Sequence, residues 1–559
     1  MEQLKKKLFE VSWNLKNRAK IIDRLQDTTY DIIIIGGGIT GAGVAREAVM
    51  RGLKVALVDM QDFAAGTSSR SSKLAHGGIR YLGHGEMDLV KEATTERNWM
   101  LAHIPHLIRP IPFLFIDWEG GKYNKRSIKA AVKLYDFLSD KDEEFKNFKQ
   151  HEWYTPEGVL ELEPKIKKEG NKGGAVYYDN NVDDARLTIE TLKEAVVRGA
   201  DILSYCKVVD LIKKDNNVIG IKCEDLEKKK DIKIRGKLIV NATGIWSDDV
   251  LQNYPGDVPK PVIRPTKGVH LTYRREDVGN NMATIITSIT DDRAFFVLPR
   301  GDFTIIGTTD TDFQGDLANP ICNKEDADYL IKSVKYYFPK SELDYQNILA
   351  TYAGIRPLVK EKGKDESEVS RKHVIFFSED GLLTIAGGKL TTWRKMAEDL
   401  FVEIESKNLF NQITREEGFS KQKFLISIDK EDYITKLKNS KLNIDDKIIN
   451  HLYQQYGFGA LKILELIEED PSLKERINED CDFIKAEILY ALRYELTTHL
   501  IDVFCRRTEM SLFIEHKKQR EAAEKVAEIM AKEYNWTDEK LKQEIKEYLD
   551  YINNTVAFF

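Results

Sequence analysis

Four consecutive isoleucines, Ile32 to Ile35, stand out in the first sixty residues. A run without alternation is what a parallel strand buried on both faces presents. Gly36-x-Gly38-x-x-Gly41 follows it, then an apolar helical stretch to about Met50, Gly52, and a second apolar run, LKVALVD, ending at Asp59. This order predicts a β-α-β unit over residues 30–62. Residues 200–248 read as strands with a hairpin at Asp215-Asn216-Asn217, closing in apolar KLIV and the small-residue turn Asn241-Ala242-Thr243-Gly244. Residues 262–309 add strands with two hairpins, the second turning at Arg300-Gly301-Asp302. GLLTIAGGKLTTWRKMAEDL (381–400) repeats strand, glycine turn and helix. Beyond about residue 410 the apolar positions take helical spacing among many charges, as in QREAAEKVAEIMAKEY, which predicts a separate α-helical domain. HIPHLIRPIPFLFIDW (103–118), apolar but broken by Pro105, Pro110 and Pro112, predicts a strand or loop lining a second domain. At the N-terminus, Leu4, Leu8, Val11, Leu15 and Ile22 fall near the helical period and predict one amphipathic basic helix, packed on the body or lying on a membrane surface.

Length and charge narrow the classes. At about 150 residues per domain, 559 residues hold roughly three or four domains. A net charge of −6 offers no dominant basic field, which excludes nucleic acid as the main partner. The five cysteines lie far apart with no C-x-x-C pair, so neither zinc, iron–sulfur ligation nor a disulfide framework is expected, and a reducing cytoplasm fits. No apolar run approaches the roughly 20 residues of a spanning helix, and no signal-peptide pattern opens the chain. G-x-S-x-G and H-E-x-x-H are absent. Asp310 and Asp312 imitate the start of a calcium loop, but Ile321 stands where its Glu belongs, and no metal site is expected. The glycine turn before Lys389 is not a phosphate-binding P-loop, because Leu383 and Leu390 replace its required Gly and Ser/Thr.

The chemistry of the β-α-β unit follows from its geometry. Gly36, Gly38 and Gly41 permit a tight turn and close backbone approach, so that N–H groups of the helix start, with about half a positive charge, receive a pyrophosphate. Asp59, eighteen residues after Gly41, can accept hydrogen bonds from a ribose. FAD and NAD share this half. SSRSSKLAHGGIRYL (68–82) tips the balance: four serines, two arginines, a lysine, a histidine and two glycines bury little on their own. Lying just after Asp59, they can follow a dinucleotide toward a flavin ring, which needs polar partners along its length.

GGGITGAGVAREA, DFAAGTSSRSSKLAHGGIRYL, NNVDDARLTIETLKEAV, NATGIWSDD, TKGVHL, IIGTTDTDFQGD, YAGIRPL and IAGGKLTTWRKMAE occur in this order. Together they closely resemble FAD-dependent glycerol-3-phosphate dehydrogenases, which are related to alpha-glycerophosphate oxidase. The similarity runs from about residue 28 into the C-terminal helices, where DVFCRRTEMSLF is also family-like. The resemblance implies an α/β + α architecture: a glutathione-reductase-like, amino-acid-oxidase-like FAD-binding fold with a β-rich substrate domain and a C-terminal α-helical domain. The expected division is an N-terminal helix at 1–27, FAD-binding segments at 28–105, 175–255 and 350–405, substrate-binding segments at 106–174 and 256–349, and helices at 410–559.

The activity implied is hydride transfer from C2 of sn-glycerol 3-phosphate to FAD, giving dihydroxyacetone phosphate, with electrons passed to quinone or, in the oxidases, to O2. The oxidase branch typically carries a mid-chain insertion not seen here, which favours quinone. A flavin-binding redox sensor or electron-transfer module without turnover is the alternative from another class. A dianionic phosphate suits planar guanidinium groups, and by similarity Arg356 and Arg371 are the phosphate candidates, with Arg80, Tyr81 and Thr308 as further substrate contacts. Histidine suits a base near neutral pH; His270 is the first choice and His76 the second. Lys389 can stabilise charge on the reduced flavin or hold a substrate oxygen. The cofactor set is Gly36, Gly38, Ile39, Thr40, Gly41 and Asp59; then Thr67, Ser68, Ser69, Ser72, Lys73, Gly77 and Gly78; then Val208, Ala242 and Gly244; then Gly388, Lys389, Leu390 and Thr391. Arg506-Arg507 reads as a helix-surface ion-pairing site, or else as a phosphate or lipid contact. A homo-oligomer and peripheral attachment to the inner face of the cytoplasmic membrane are left open.

Overall fold

The computed structural model describes residues 2–558 apart from 12, 143, 252–261, 361–371, 411–412, 414–420 and 439–441. Its first sheet has eight strands. Thr29–Ile35 lies at its centre, parallel to Val55–Val58 on one side and to Lys230–Asn241 on the other. Leu383–Gly387 continues the parallel set, and His373–Phe377 closes that edge antiparallel. Central placement explains the isoleucine run, because Ile32 to Ile35 are 0–5% exposed. Helix Ile39–Met50 lies beside this sheet and packs against both Asp184–Val197 and Trp393–Ser406. The predicted hairpin joins Cys206–Lys214 to Asn217–Asp225, with Asp215 and Asn216 at φ of 50° and 61°. Two adjacent positive φ values match the twist of antiparallel strands, and Asp and Asn tolerate them best among residues with side chains.

The second sheet has ten strands and is mostly antiparallel. Ile263–Arg274 is its hub, pairing with Phe303–Gly307, Ala350–Val359 and Thr311–Asp312. Its side chains alternate. Val269, Leu271 and Tyr273 join an apolar core with Leu330 and Val334 of helix Lys324–Tyr337, which leaves Thr266, Gly268 and His270 on the opposite face. Arg109–Trp118 is a strand, and its prolines are explained by what surrounds them. Pro110 and Pro112 pair with Asn171–Asn181, while the other neighbour, Ala283–Thr287, begins its pairing only at Phe113. A proline is tolerated where one side of the strand needs no N–H. Ala350–Val359 and Asn171–Asn181 fall in this sheet rather than dividing at residues 350 and 175, since ten successive register pairs bind Ala350–Val359 to Ile263–Arg274.

Two further expectations are corrected. The N-terminal segment is not one helix but two, Glu2–Lys7 and Arg18–Asp27, because Trp13 turns inward. Trp13 is buried beside Phe63 and donates to the Ile202 carbonyl, and Leu8 is buried against Val197 and Leu425. Arg506 and Arg507 are buried, not on a helix surface. Both bind the buried carboxylate of Asp62, Arg507 through two bonds of 2.8 and 2.9 Å, and Arg506 also binds Asp502 at 2.6 Å. Arg186 reaches Glu495 through bonds of 2.8 and 2.9 Å, adding a second buried tie between the C-terminal helices and the helices beside the first sheet.

Removing Asp62 leaves two buried guanidinium groups short of a partner, a loss of about 3–5 kcal/mol. Asp62→Ala should therefore lower the denaturant midpoint of the protein by that equivalent. A shift below about 1 kcal/mol would mean that the carboxylate does not tie the domains together.

Candidate active site

Residues of both sheets line one cavity of about 700 Å³. At one end, strand Thr29–Ile35 runs into Gly36 and the helix beginning at Ile39. Gly36 has φ of 110°, and a Cβ there would lie 2.6 Å from the Ala242 carbonyl oxygen. Gly41 lets the helix close on the strand, since a Cβ there would sit 1.9 Å from the Gly36 carbonyl oxygen. The Ile39 N–H donates to Ser68 Oγ at 2.9 Å, and the Gly37 N–H to Asp59 Oδ2 at 2.6 Å. Burial pushes the Asp59 carboxyl up to about 6, against the opposing effect of the Gln61 and Gly37 N–H groups. Thr40, Thr67, Ser72, Val208, Gly244, Gly388, Leu390 and Thr391 continue the wall together with Gly38, Ala242 and Lys389.

At the other end, one row of register partners crosses four strands: Phe296, Gly307, His270 and Tyr352. His270 is 3% exposed and stacks on Tyr352 with centroids 4.5 Å apart and planes 8° from parallel. Its Nε2 lies 2.8 Å from Ser72 Oγ. Burial first, then the charges of Arg356 and Lys73, hold its pKa well below the ordinary histidine value, so the ring is neutral at pH 7. Two residues along the strand, Gly268 leaves space that other groups use. A Cβ there would be 2.4 Å from both Arg356 Nη2 and Thr308 Oγ1. Arg356 is oriented by Asp310 at 2.7 Å, Thr308 Oγ1 at 3.0 Å and the Thr309 carbonyl at 2.9 Å. Arg80 donates to the Ala294 carbonyl at 2.7 Å and lies over the Phe296 ring. Lys389 Nζ sits 4.2 Å from the centroid of Tyr81. The His76 backbone is clamped at both ends, its N–H and carbonyl each 3.1 Å from Thr391 Oγ1, and its ring meets Phe296 edge-on.

Most of the sequence-derived residues thus converge on the cavity, but five do not line it. Lys73 is corrected from a cofactor contact to a buried ion pair, 2.6 Å from Asp184 and 3.3 Å from Glu509. Those two carboxylates draw the ammonium away from the cavity. Gly77 packs behind it, its N–H 2.8 Å from Tyr135 Oη, while Gly78 turns the chain beneath the Tyr81 ring. Ser69 and Gly41 also lie off the wall, and Arg371 lies outside the described residues. Sequence reasoning missed Arg70 and Phe296 in the wall, Asp310 behind Arg356, and Tyr352 behind His270. Only Asp310 had a local signal, two positions from Thr308 in GTTD, and its acidity invited a metal reading.

These residues fit FAD: a glycine cradle that a Cβ would fill, a helix start for the pyrophosphate, a buried carboxylate for the ribose and cations at the far end. Residues 31–394 match the family described as FAD dependent oxidoreductase, and residues 388–541 match the C-terminal domain of alpha-glycerophosphate oxidase. The chain belongs to the FAD-dependent oxidoreductases. Within them it is 37% identical over 545 residues to the aerobic glycerol-3-phosphate dehydrogenase of Bacillus subtilis, covering 95% of this chain and 96% of that one. It is 35% identical over 537 residues to glycerol-3-phosphate dehydrogenase 2 of Mycobacterium tuberculosis, covering 95% and 89%. The FAD-complexed glycerol-3-phosphate dehydrogenase structure from Bacillus halodurans superimposes with a TM-score of 0.79 at 30% identity, over 98% of this chain and 99% of that one. FAD is therefore the cofactor of this oxidoreductase.

An ionised carboxylate is the better acceptor for a ribose hydroxyl, so a ribose role for Asp59 predicts FAD binding that weakens as pH falls through about 6. Titration of the apoprotein with FAD, followed by flavin fluorescence, should show tighter binding at pH 7.5 than at pH 5. Asp59→Asn should bind about 10–100-fold more weakly at pH 7.5. Equal affinity of the wild type at both pH values would remove Asp59 from the ribose site.

Proposed function

We propose that this FAD-dependent oxidoreductase oxidises sn-glycerol 3-phosphate to dihydroxyacetone phosphate and passes the electrons to a quinone. One observation carries the reading: the Arg356 guanidinium and the Thr308 hydroxyl lie over Gly268, two residues from the neutral imidazole of His270. A phosphate anchor, lodged in the space that the absent side chain of Gly268 leaves, and a proton acceptor stand on one face of a sheet. FAD, when bound, supplies the hydride acceptor.

The chain's residues divide the remaining work. Arg356 offers N–H groups in one plane to the phosphate, and Asp310 keeps that plane fixed. Thr308 adds a hydroxyl. Arg80 and Tyr81, which also line the cavity, contact the glycerol part. His270 takes the C2 hydroxyl proton on Nε2, the nitrogen that meets a cavity-lining group. His76 supports the wall through its clamped backbone, and Lys389 holds negative charge nearby. Quinones dissolve in lipid, so peripheral attachment to the inner face of the cytoplasmic membrane belongs to the same proposal. No helix among the described residues is long and apolar enough to cross a membrane. The match of residues 388–541 to an oxidase C-terminal domain favours a second reading, with O2 as acceptor and hydrogen peroxide as product.

Anaerobic sn-glycerol 3-phosphate should bleach the oxidised flavin band, and a soluble quinone analogue should restore it faster than air does. Faster return in air would select the oxidase. An untouched band, with reduction by 2-hydroxy or 2-amino acids instead, would reject the substrate. Arg356→Lys replaces a planar fork by a point charge, and half-saturation should need about 10–100-fold more substrate while FAD stays bound.

A further inference from the structure

The two ring nitrogens of His270 have different surroundings. Nδ1 is buried with no hydrogen-bond partner. Nε2 meets Ser72 Oγ, and Ser72 itself lines the cavity. Tyr352 covers one ring face, and Gly307 leaves room for the ring, since a Cβ there would come within 2.2 Å of His270 Cδ2. His270 also lines the cavity, and among the described residues the hydroxyl hydrogen-bonded to its ring is that of Ser72.

That serine is held in place from several directions. Asp184 accepts from the Ser71 N–H at 3.1 Å and from Ser71 Oγ at 2.7 Å. Tyr352, already stacked on His270, donates its hydroxyl to the Ser71 carbonyl at 3.0 Å. Lys73 is anchored to the other oxygen of Asp184. The residues on either side of Ser72 are thus fixed, and its hydroxyl is aimed at Nε2. A hydroxyl donates and accepts at once, so it can hand on one proton while taking another.

Resting on the proposed oxidation of a secondary alcohol, we propose that the substrate's proton reaches His270 through the Ser72 hydroxyl in one concerted step. The C2–H electron pair leaves as hydride to FAD, the oxidant. The substrate O–H bond breaks and its proton bonds to Ser72 Oγ, while the former Ser72 proton bonds to His270 Nε2. The products are a ketone, an intact serine and an imidazolium. Burial and the Arg356 charge, which keep the ring neutral beforehand, then favour loss of that proton before the next cycle.

Anaerobic rapid mixing of holoenzyme with sn-glycerol 3-phosphate reads the flavin-reduction rate in wild type, Ser72→Ala, Ser72→Thr, His270→Asn and the Ser72→Ala/His270→Asn double variant. FAD content by absorbance, and the flavin spectral change on binding dihydroxyacetone phosphate, show whether each site is intact. Ser72→Ala should slow reduction at least about 30-fold, and Ser72→Thr should stay within about 3-fold of wild type. The double variant should be no slower than His270→Asn, because both changes cut one route. Losses that multiply in the double variant, or a Ser72→Ala enzyme as fast as wild type, would overturn the relay. If Ser72→Ala loses FAD, the wild type decides alone: its rate plotted against deuterium fraction should curve, as two hydrons move together, and a straight or flat line overturns the proposal. A wild type that is not reduced at all contradicts the substrate reading instead.

Discussion

The register between Ile263–Arg274 and Ala350–Val359 governs the active site. It sets Thr266 opposite Arg356, Gly268 opposite Gly354 and His270 opposite Tyr352, all on the cavity face. The intervening residues, Val269 and Leu271 among them, are buried against a helix. A slip of one residue would send His270 into that apolar layer and bring its neighbours to the cavity. The energy that holds the register is the burial of the far face. The chemistry on the near face inherits its precision from a hydrophobic layer that never touches substrate.

Buried charge supplies a second level of order. The polar stretch 68–82 cannot pack by apolar contact, so carboxylates from elsewhere hold it: Asp184 binds Ser71 and Lys73, and Glu509 of the helical domain also reaches Lys73. Glu509 in turn accepts from Arg300 Nε at 3.0 Å, at the hairpin end of the substrate sheet. Such pairs add little net stability, because desolvation offsets their attraction, but breaking one partner is costly. Here they join cofactor sheet, substrate sheet and helical domain around one loop, and that loop presents Ser68 to the helix start and Ser72 to His270.

Local patterns were legible in the sequence where the cause is local. The isoleucine run, the glycine turn, Asp59 and the hairpins at Asp215-Asn216 and Gly301 all follow from constraints spanning a few residues. Most of the described site residues drawn from family resemblance line the cavity because the motifs that carry them are wall segments. What stayed hidden was set by partners far along the chain. Lys73 pairs with a residue 111 positions away, and Arg506 with one 444 positions away. Charge alone cannot distinguish such a buried partner from water. The single N-terminal helix was misjudged because its apolar spacing is helical, while the pull of Trp13 into the core is a tertiary effect. Tyr352 and Phe296 came to the site through strand register, which no local pattern encodes.

The proposed anchor and base meet at Gly268, where Arg356 and Thr308 lie over the backbone two residues from His270. Gly268→Ala places a methyl group there, against the movable heads of Arg356 and Thr308. Anaerobic reduction of the FAD-loaded variant by sn-glycerol 3-phosphate is the most direct measurement. The flavin should remain bound with its absorbance unchanged, while the reduction rate at low substrate falls at least about 100-fold, as expected when reacting groups are displaced by an ångström. Reduction at the wild-type rate would show that substrate does not lie across this face, and the proposed arrangement of anchor and base would be wrong.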